Sequence, residues 1–273
     1  MTNSEKESFW IINHHTDLIQ NILDLSPALF ENLSKKQNEF ATKDHWLEGY
    51  SSEEGVRQMF NWVSQSSDHN YNTIPASFPM RWHHWLDSYH IKIFNSFAVY
   101  ALNILSEQFI EFTSNTLSEL YAADILESSF VLCRLISYPK LCNSKYMHTK
   151  PRANEHYDPS FLTLLAGSTS EGLQIKQKEG AWQALNTTKL TSAVTVGRWS
   201  YYLDSEQFKS QLHRVIYKDI HSERFSLQAF LLSNPDLLIK AKKLNLLSPS
   251  SISRIQNSYQ NAFISYEPHL RWE

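Results

Sequence analysis

Two periodicities divide the chain. Between Ile91 and Phe109, apolar side chains recur at Ile91, Phe94, Ala98, Ala101, Leu105 and Phe109. That three-to-four spacing is one buried face of a helix. A second helix is expected from about Asp17 to Lys36, with Pro27 marking a break or a fresh start. Trp46 to Pro79 is polar, aromatic and irregular, and reads mostly as loop. Beyond residue 128 the pattern changes. Phe130 to Tyr138, Leu162 to Leu165, Gly172 to Ile175, Ser192 to Val196, Gln211 to Tyr217 and Phe225 to Leu232 are short segments rich in β-formers. Turn-prone pairs such as Gly167-Ser168, Glu179-Gly180 and Asn186-Thr187 separate them. Short strands at this spacing predict a sandwich or barrel. The tail returns to helix, with Asp236 as a possible N-cap after Pro235 and Pro249 opening a last helix.

Composition narrows the function classes. The chain has 273 residues, 42% of them apolar and 19% charged. A length of this order suits one domain, or one with helical additions. The net charge is −3 and no basic stripe occurs. Nucleic acid is therefore not the expected partner, because its binding rests on clustered Lys and Arg neutralising phosphates. Lys240 to Lys243 holds three lysines and reads as a solvated helix face. Cys133 and Cys142 are too few for a disulfide scaffold or a zinc cluster. No apolar signal core and no membrane-spanning run is present, so a cytoplasmic protein without membrane association is expected. Glycine is scarce, with six in the chain, and neither the Walker pattern nor the dinucleotide fingerprint occurs.

The chemistry concentrates in the β half. In His156-Tyr157-Asp158, an imidazole and a carboxylate two apart on a strand would point to one side. A third ligand must come from elsewhere. His213 is the best candidate, 55 positions after Asp158 and inside the strand-like run Gln211 to Tyr217. Two histidines and a carboxylate on one face of an octahedron form the facial triad of non-haem iron(II) oxygenases. Three positions stay open, two for a bidentate 2-oxo acid and one for dioxygen. Arg224 follows His213 by eleven positions, with Ser226 two further on. Both can face one way on a strand, offering a guanidinium fork and a hydroxyl to a distal carboxylate. A His-x-Asp pair or an Arg-Phe-Ser taken alone would be an ordinary polar pair. Their order and spacing together carry the functional reading.

The stretch from Arg134 to Pro235 resembles the isopenicillin N synthase-like family of iron oxygenases. Arg134-Leu-Ile-Ser-Tyr138-Pro139 is similar to that family's strand ending in Tyr-Pro. Glu155-His-Tyr-Asp-Pro-Ser-Phe-Leu-Thr-Leu-Leu165 resembles its first metal-ligand strand. Glu171-Gly-Leu-Gln-Ile175 resembles the Gly-Gly-Leu-Gln-Val turn and strand. Phe208-Lys-Ser-Gln-Leu-His-Arg-Val215 is similar to Tyr-Lys-Ser-x-x-His-Arg-Val, and Arg224-Phe-Ser226 to Arg-x-Ser. Gly49-Tyr50 and the Ile91 to Phe109 helix agree more loosely. There are departures: Ile136-Ser137-Tyr138 stands where Asn-x-Tyr is frequent, Gly197-Arg198 where Gly-Asp is common, and Glu171-Gly172 in place of Gly-Gly.

The resemblance implies an α+β protein with a double-stranded β-helix, or jelly-roll, core. Residues 1–273 would form one oxygenase domain: a mainly helical part over 1–128, the jelly roll with the metal site over 129–235, and a helical tail over 236–273. It implies Fe(II) on His156, Asp158 and His213, 2-oxoglutarate held by Arg224, Ser226 and Tyr138, and O2 as oxidant. The expected reaction hydroxylates, desaturates or cyclises a small molecule, releasing succinate and CO2. One alternative is an iron oxidase of the same fold that takes all its electrons from substrate. Another is a catalytically silent binding protein. Arg152, directly before the ligand strand, and Tyr157, between two ligands, are candidate substrate contacts. Arg81 is a weaker one, and Trp82, Trp85 and Tyr89 read first as packing residues. His14, His15, His83, His84, His90 and His221 read as surface or packing side chains.

Overall fold

The structure is a computed structural model. It describes residues 8–13, 17–35, 49–53, 56–63, 86–114, 125–126, 129–140, 151–187, 191–219, 221–233, 250, 253–255 and 257. Of the expected tail, only Ser250, 253–255 and Asn257 are described, and they are helical. Asp236, Pro249, the Lys240 to Lys243 run, Cys142, Arg81, Trp82, Trp85 and the histidine pairs at 14–15 and 83–84 lie outside the described residues.

In chain order the elements are β1 (Phe9–Asn13), α1 (Leu18–Lys35), β2 (Gly49–Glu53), β3 (Arg57–Val63) and α2 (Ser88–Thr113). They continue with β4 (Ser129–Tyr138), β5 (Ala153–His156), β6 (Leu162–Ser168), β7 (Leu173–Lys176), β8 (Trp182–Ala184) and β9 (Thr191–Val196). The last are α3 (Arg198–Leu203), β10 (His213–Val215) and β11 (Arg224–Ser233). A seven-stranded sheet has the order β1-β9-β6-β11-β4-β3-β2, and a four-stranded sheet the order β5-β10-β7-β8. From β4 onward the chain passes back and forth between the two sheets, and every pairing is antiparallel. This is the jelly-roll core.

Strand β4 shows how the sequence serves two faces at once. Val131, Cys133 and Leu135 point into the apolar core, while Leu132, Arg134, Ile136 and Tyr138 line an internal cavity. The core side is covered by helix. Asp87 caps α2 by accepting from the His90 N–H at 2.9 Å. The predicted α2 face is buried at Phe94, Ala98, Ala101, Leu105 and Phe109. The Trp62 ring of β3 lies tilted against Phe94, centroids 4.5 Å apart, and donates its indole N–H to the Phe94 carbonyl.

Two expectations are corrected. Helix α1 runs unbroken through Pro27. An interior proline costs about 3 kcal/mol. Burial of Ile22, Leu23, Leu29, Phe30 and Leu33, at roughly 1.5–3 kcal/mol each, outweighs that. The segment read as loop contains a hairpin, β2 paired with β3, that extends the large sheet through β4. Arg57 lines the cavity, while Phe60, Trp62 and Val63 are buried in the core and Arg57 to Met59 are half-buried, so no simple apolar alternation marks the strand.

Candidate metal centre

Strand β5 ends at His156, so Tyr157 and Asp158 lie in the turn beyond it rather than on the strand. Strand β10 begins at His213 and pairs His213 directly with His156. The two rings come within 4.3 Å, centroid to centroid. The Nε2 atoms of His156 and His213 each stand 3.6 Å from Asp158 Oδ1. That exceeds a hydrogen bond. The three side chains converge without bonding one another.

Each ring is oriented from behind. His156 Nδ1 lies 2.7 Å from the Asn154 carbonyl, and His213 Nδ1 lies 3.2 Å from the Gln211 carbonyl. A carbonyl only accepts, so each Nδ1 carries the proton and each Nε2 offers a lone pair to the centre. Burial pushes the His156 imidazole below its ordinary pKa, with Asp158 opposing and His213 assisting. Asp158 and His213 are buried, whereas the His156 side chain is 44% exposed and forms the mouth. Asp158 Oδ2 is buried with no hydrogen-bond partner among the described residues. A buried carboxylate oxygen so placed lacks a cation, and these donors suit iron(II).

The turn carrying Asp158 is bound to the start of α3. Arg198 N–H donates to the Asp158 carbonyl at 2.8 Å, and Gly197 and Trp199 N–H groups donate to Phe161 and Ser160. Gln211 secures the other ligand strand. Its side chain accepts from Ser8 Oγ at 2.5 Å and donates to the Lys176 and Leu212 carbonyls.

A cavity of about 350 Å³ opens from the three ligands between the sheets. Tyr138 lines it. Arg224 and Ser226 are not among the lining side chains, but each is the cross-strand partner of one, Tyr138 and Ile136 respectively. Arg224 Nε donates to the Ser170 carbonyl, its Nη1 is buried without a partner among the described residues, and its guanidinium lies 5.4 Å from the Tyr138 ring. Burial lowers its pKa to about 10, so it remains a cation. Ser226 Oγ is also buried, with no partner among the described residues. A cation and a hydroxyl left unsatisfied side by side fit an incoming carboxylate.

The other candidate contacts are engaged elsewhere. Arg152 is buried, and its guanidinium donates to the carbonyls of Tyr138, Asp219 and Ser222. The Tyr157 ring lies under the Arg198 guanidinium at 4.1 Å. Neither residue lines the cavity. His90 bonds the α2 cap residue Asp87, and Tyr89 is exposed. Sequence reasoning passed over Arg134, Asn61 and Gln228. Their signal was polar residues at alternate positions of otherwise apolar strands.

A family model, that of the 2OG-Fe(II) oxygenase superfamily, matches residues 130–233. Isopenicillin N synthase of Amycolatopsis lactamdurans is 32% identical over 127 residues, 45% of this chain and 37% of that protein. Gibberellin 2-beta-dioxygenase 3 of Arabidopsis thaliana is 30% identical over 105 residues, 38% of this chain and 30% of the relative. The chain thus spans about a third of the length of these curated relatives. In structure it is similar to dioxygenase for auxin oxidation 1 of Arabidopsis thaliana, solved with 2-oxoglutarate. The TM-score is 0.68 at 19% identity, covering 85% of this chain and 86% of that one. A Neurospora crassa protein solved with alpha-KG and thymine gives 0.69 at 17% identity, covering 92% and 88%. These likenesses extend the jelly-roll fold over most of the chain, and residues 130–233 are similar to the 2OG-Fe(II) oxygenase superfamily.

Proposed function

We propose that this protein is an iron(II)- and 2-oxoglutarate-dependent oxygenase that hydroxylates, desaturates or cyclises a small molecule. The observation that carries the reading is the convergence of two Nε2 atoms and Asp158 Oδ1, both Nδ1 atoms being held by main-chain carbonyls. His156, Asp158 and His213 would hold the metal. Arg224, Ser226 and Tyr138 would hold the far carboxylate of the oxo acid, where Arg224 Nη1 and Ser226 Oγ lack partners among the described residues. Iron(II) with 2-oxoglutarate and O2 supplies an oxidative decarboxylation to succinate and CO2, coupled to a two-electron oxidation of substrate. The chain itself supplies position and dryness. The carbonyls of Asn154 and Gln211 keep both imidazoles in the ligating tautomer, and the apolar wall of Leu165, Leu173 and Val215 excludes water from the reacting face.

Anaerobic titration tests the ligand set. One iron(II) is expected per chain. His156→Ala or His213→Ala should weaken binding by more than the ~10- to 100-fold that loss of a supporting contact costs. Undiminished binding in His213→Ala would overturn the site. Labelled CO2 released from carboxyl-labelled 2-oxoglutarate tests the cosubstrate. Iron binding without release, with any candidate substrate, would point instead to an oxidase that draws all electrons from its substrate.

A further inference from the structure

The wall of the cavity carries a polar row that neither metal ligation nor oxo-acid binding uses. Strands β3, β4 and β11 lie side by side, with Asn61 opposite Arg134 and Arg134 opposite Gln228. Cross-strand partners share a face. Arg134 and Gln228 both line the cavity, in a wall otherwise apolar at Leu132, Ile136, Phe230 and Leu232. Arg134 Nε donates to Asn61 Oδ1 at 2.9 Å, and its guanidinium carbon lies 5.2 Å from the Phe230 ring centroid. These contacts fix the fork and leave both terminal nitrogens without a hydrogen bond among the described residues. No described carboxylate makes an ion pair with it. Burial lowers its pKa to about 10, opposed by the charge of Asp158, so it is a cation at neutral pH.

Such a charge is expensive. Arg134 is half-buried in the cavity wall, so water offsets only part of the cost of a cation without a counter-charge. The metal end cannot provide one. Asp158 and a dianionic oxo acid balance iron(II) together with Arg224. Arg57, the other arginine on the wall, already pairs with Glu53 at 3.1 Å toward the surface. Among the described residues lining the cavity, Arg134 is therefore the cation with no anion assigned. Its planar fork suits a carboxylate.

We infer that Arg134 anchors a carboxylate of the substrate, with Gln228 beside it as a second donor and Asn61 holding the fork, so that the substrate is a small organic acid. This assignment rests on the oxygenase reading of the same cavity.

The test uses binding rather than turnover. The full chain is loaded with Mn(II) and N-oxalylglycine, an inert stand-in for the oxo acid, and each is titrated separately. Matched probes are then measured by ligand-observed NMR and calorimetry: phenylacetate against phenylacetamide, cinnamate against cinnamamide, hexanoate against hexanamide. At least one acid should bind ~10- to 100-fold more tightly than its amide, the worth of a charge-assisted pair. Arg134→Gln should abolish that preference while Mn(II) and N-oxalylglycine bind as before. Arg134→Lys, which keeps the charge and so guards against misfolding, should retain part of it. Equal affinity for acids and amides, or a preference surviving in Arg134→Gln, would sink the proposal. So would a loss of N-oxalylglycine as large in Arg134→Gln as in Arg224→Gln, which would move Arg134 into the cosubstrate site. If neither Mn(II) nor N-oxalylglycine binds, yet acids still depend on Arg134, the anchor stands and only the iron reading falls.

Discussion

A Cβ at Gly197 would stand 2.1 Å from the Ser160 carbonyl oxygen and 2.5 Å from its Oγ. No side chain fits there without moving the turn that presents Asp158. Gly197→Ala should therefore separate the ligands. It is expected to cost ~1–3 kcal/mol of stability, as overpacking does, and to weaken Mn(II) binding by ~10- to 100-fold. Metal titration beside urea unfolding measures both, and unchanged metal affinity would show that the turn does not set Asp158. The sequence marked Gly197-Arg198 only as a departure from a motif; the close approach that requires glycine is a tertiary fact. Arg152 gives the opposite lesson. Its position before the ligand strand suggested the cavity mouth, but its guanidinium bridges three carbonyls and lies 4.7 Å from the Tyr217 ring. Arg152→Met should leave those carbonyls unpaired and cost ~2–4 kcal/mol in urea, with Mn(II) affinity little altered.

Among the elements, the ligand strands are short, with four residues in β5 and three in β10. Strands of that length do not hold themselves. Gln211 supplies the missing support, tying Ser8 before β1 to the end of β7 and the start of β10. Its main chain also bonds the Val196 carbonyl at the end of β9. Gln211→Ala should loosen this corner by ~1–3 kcal/mol. Amide hydrogen exchange should rise in β1 and β10 while β4 and β11 stay protected. Uniform change in all four would mean the side chain acts only on global stability. The long, doubly buried strands and the heptad-like face of α2 were legible because their patterns are set by one environment. The β2–β3 hairpin and β1 were not, because their faces meet different surroundings: helix on one side and a polar cavity or a partner strand on the other. The ligand triad was read from residue order, while its actual placement, one histidine at a strand end and the aspartate in a turn, required the register of β5 on β10.

At the scale of the molecule, the two sheets divide the work. The small sheet and its following turn bring His156, Asp158 and His213, and the large sheet brings Tyr138, Arg224, Ser226 and Arg134. An ion bound by His156, Asp158 and His213 would therefore tie β5, β10 and the Asp158 turn together, joining segments 55 residues apart in sequence. It would also relieve the buried Asp158 carboxylate. Anything that binds the folded state alone stabilises it by RT ln(1 + [L]/Kd), about 2.7 kcal/mol at a hundredfold excess over Kd. For a chain of this size that corresponds to a rise of roughly 5–10 °C in Tm. Saturating Mn(II) should produce such a rise, and a chelator should reverse it. His213→Ala should show none at the same concentration, because two ligands in place of three no longer close the site. The oxo-acid analogue should add a further increment only when metal is present, and Arg224→Gln should remove that increment while keeping the first. If the two increments appear independently of one another, the oxo acid and the metal do not share a site, and the large sheet is not the second wall of a single reaction chamber.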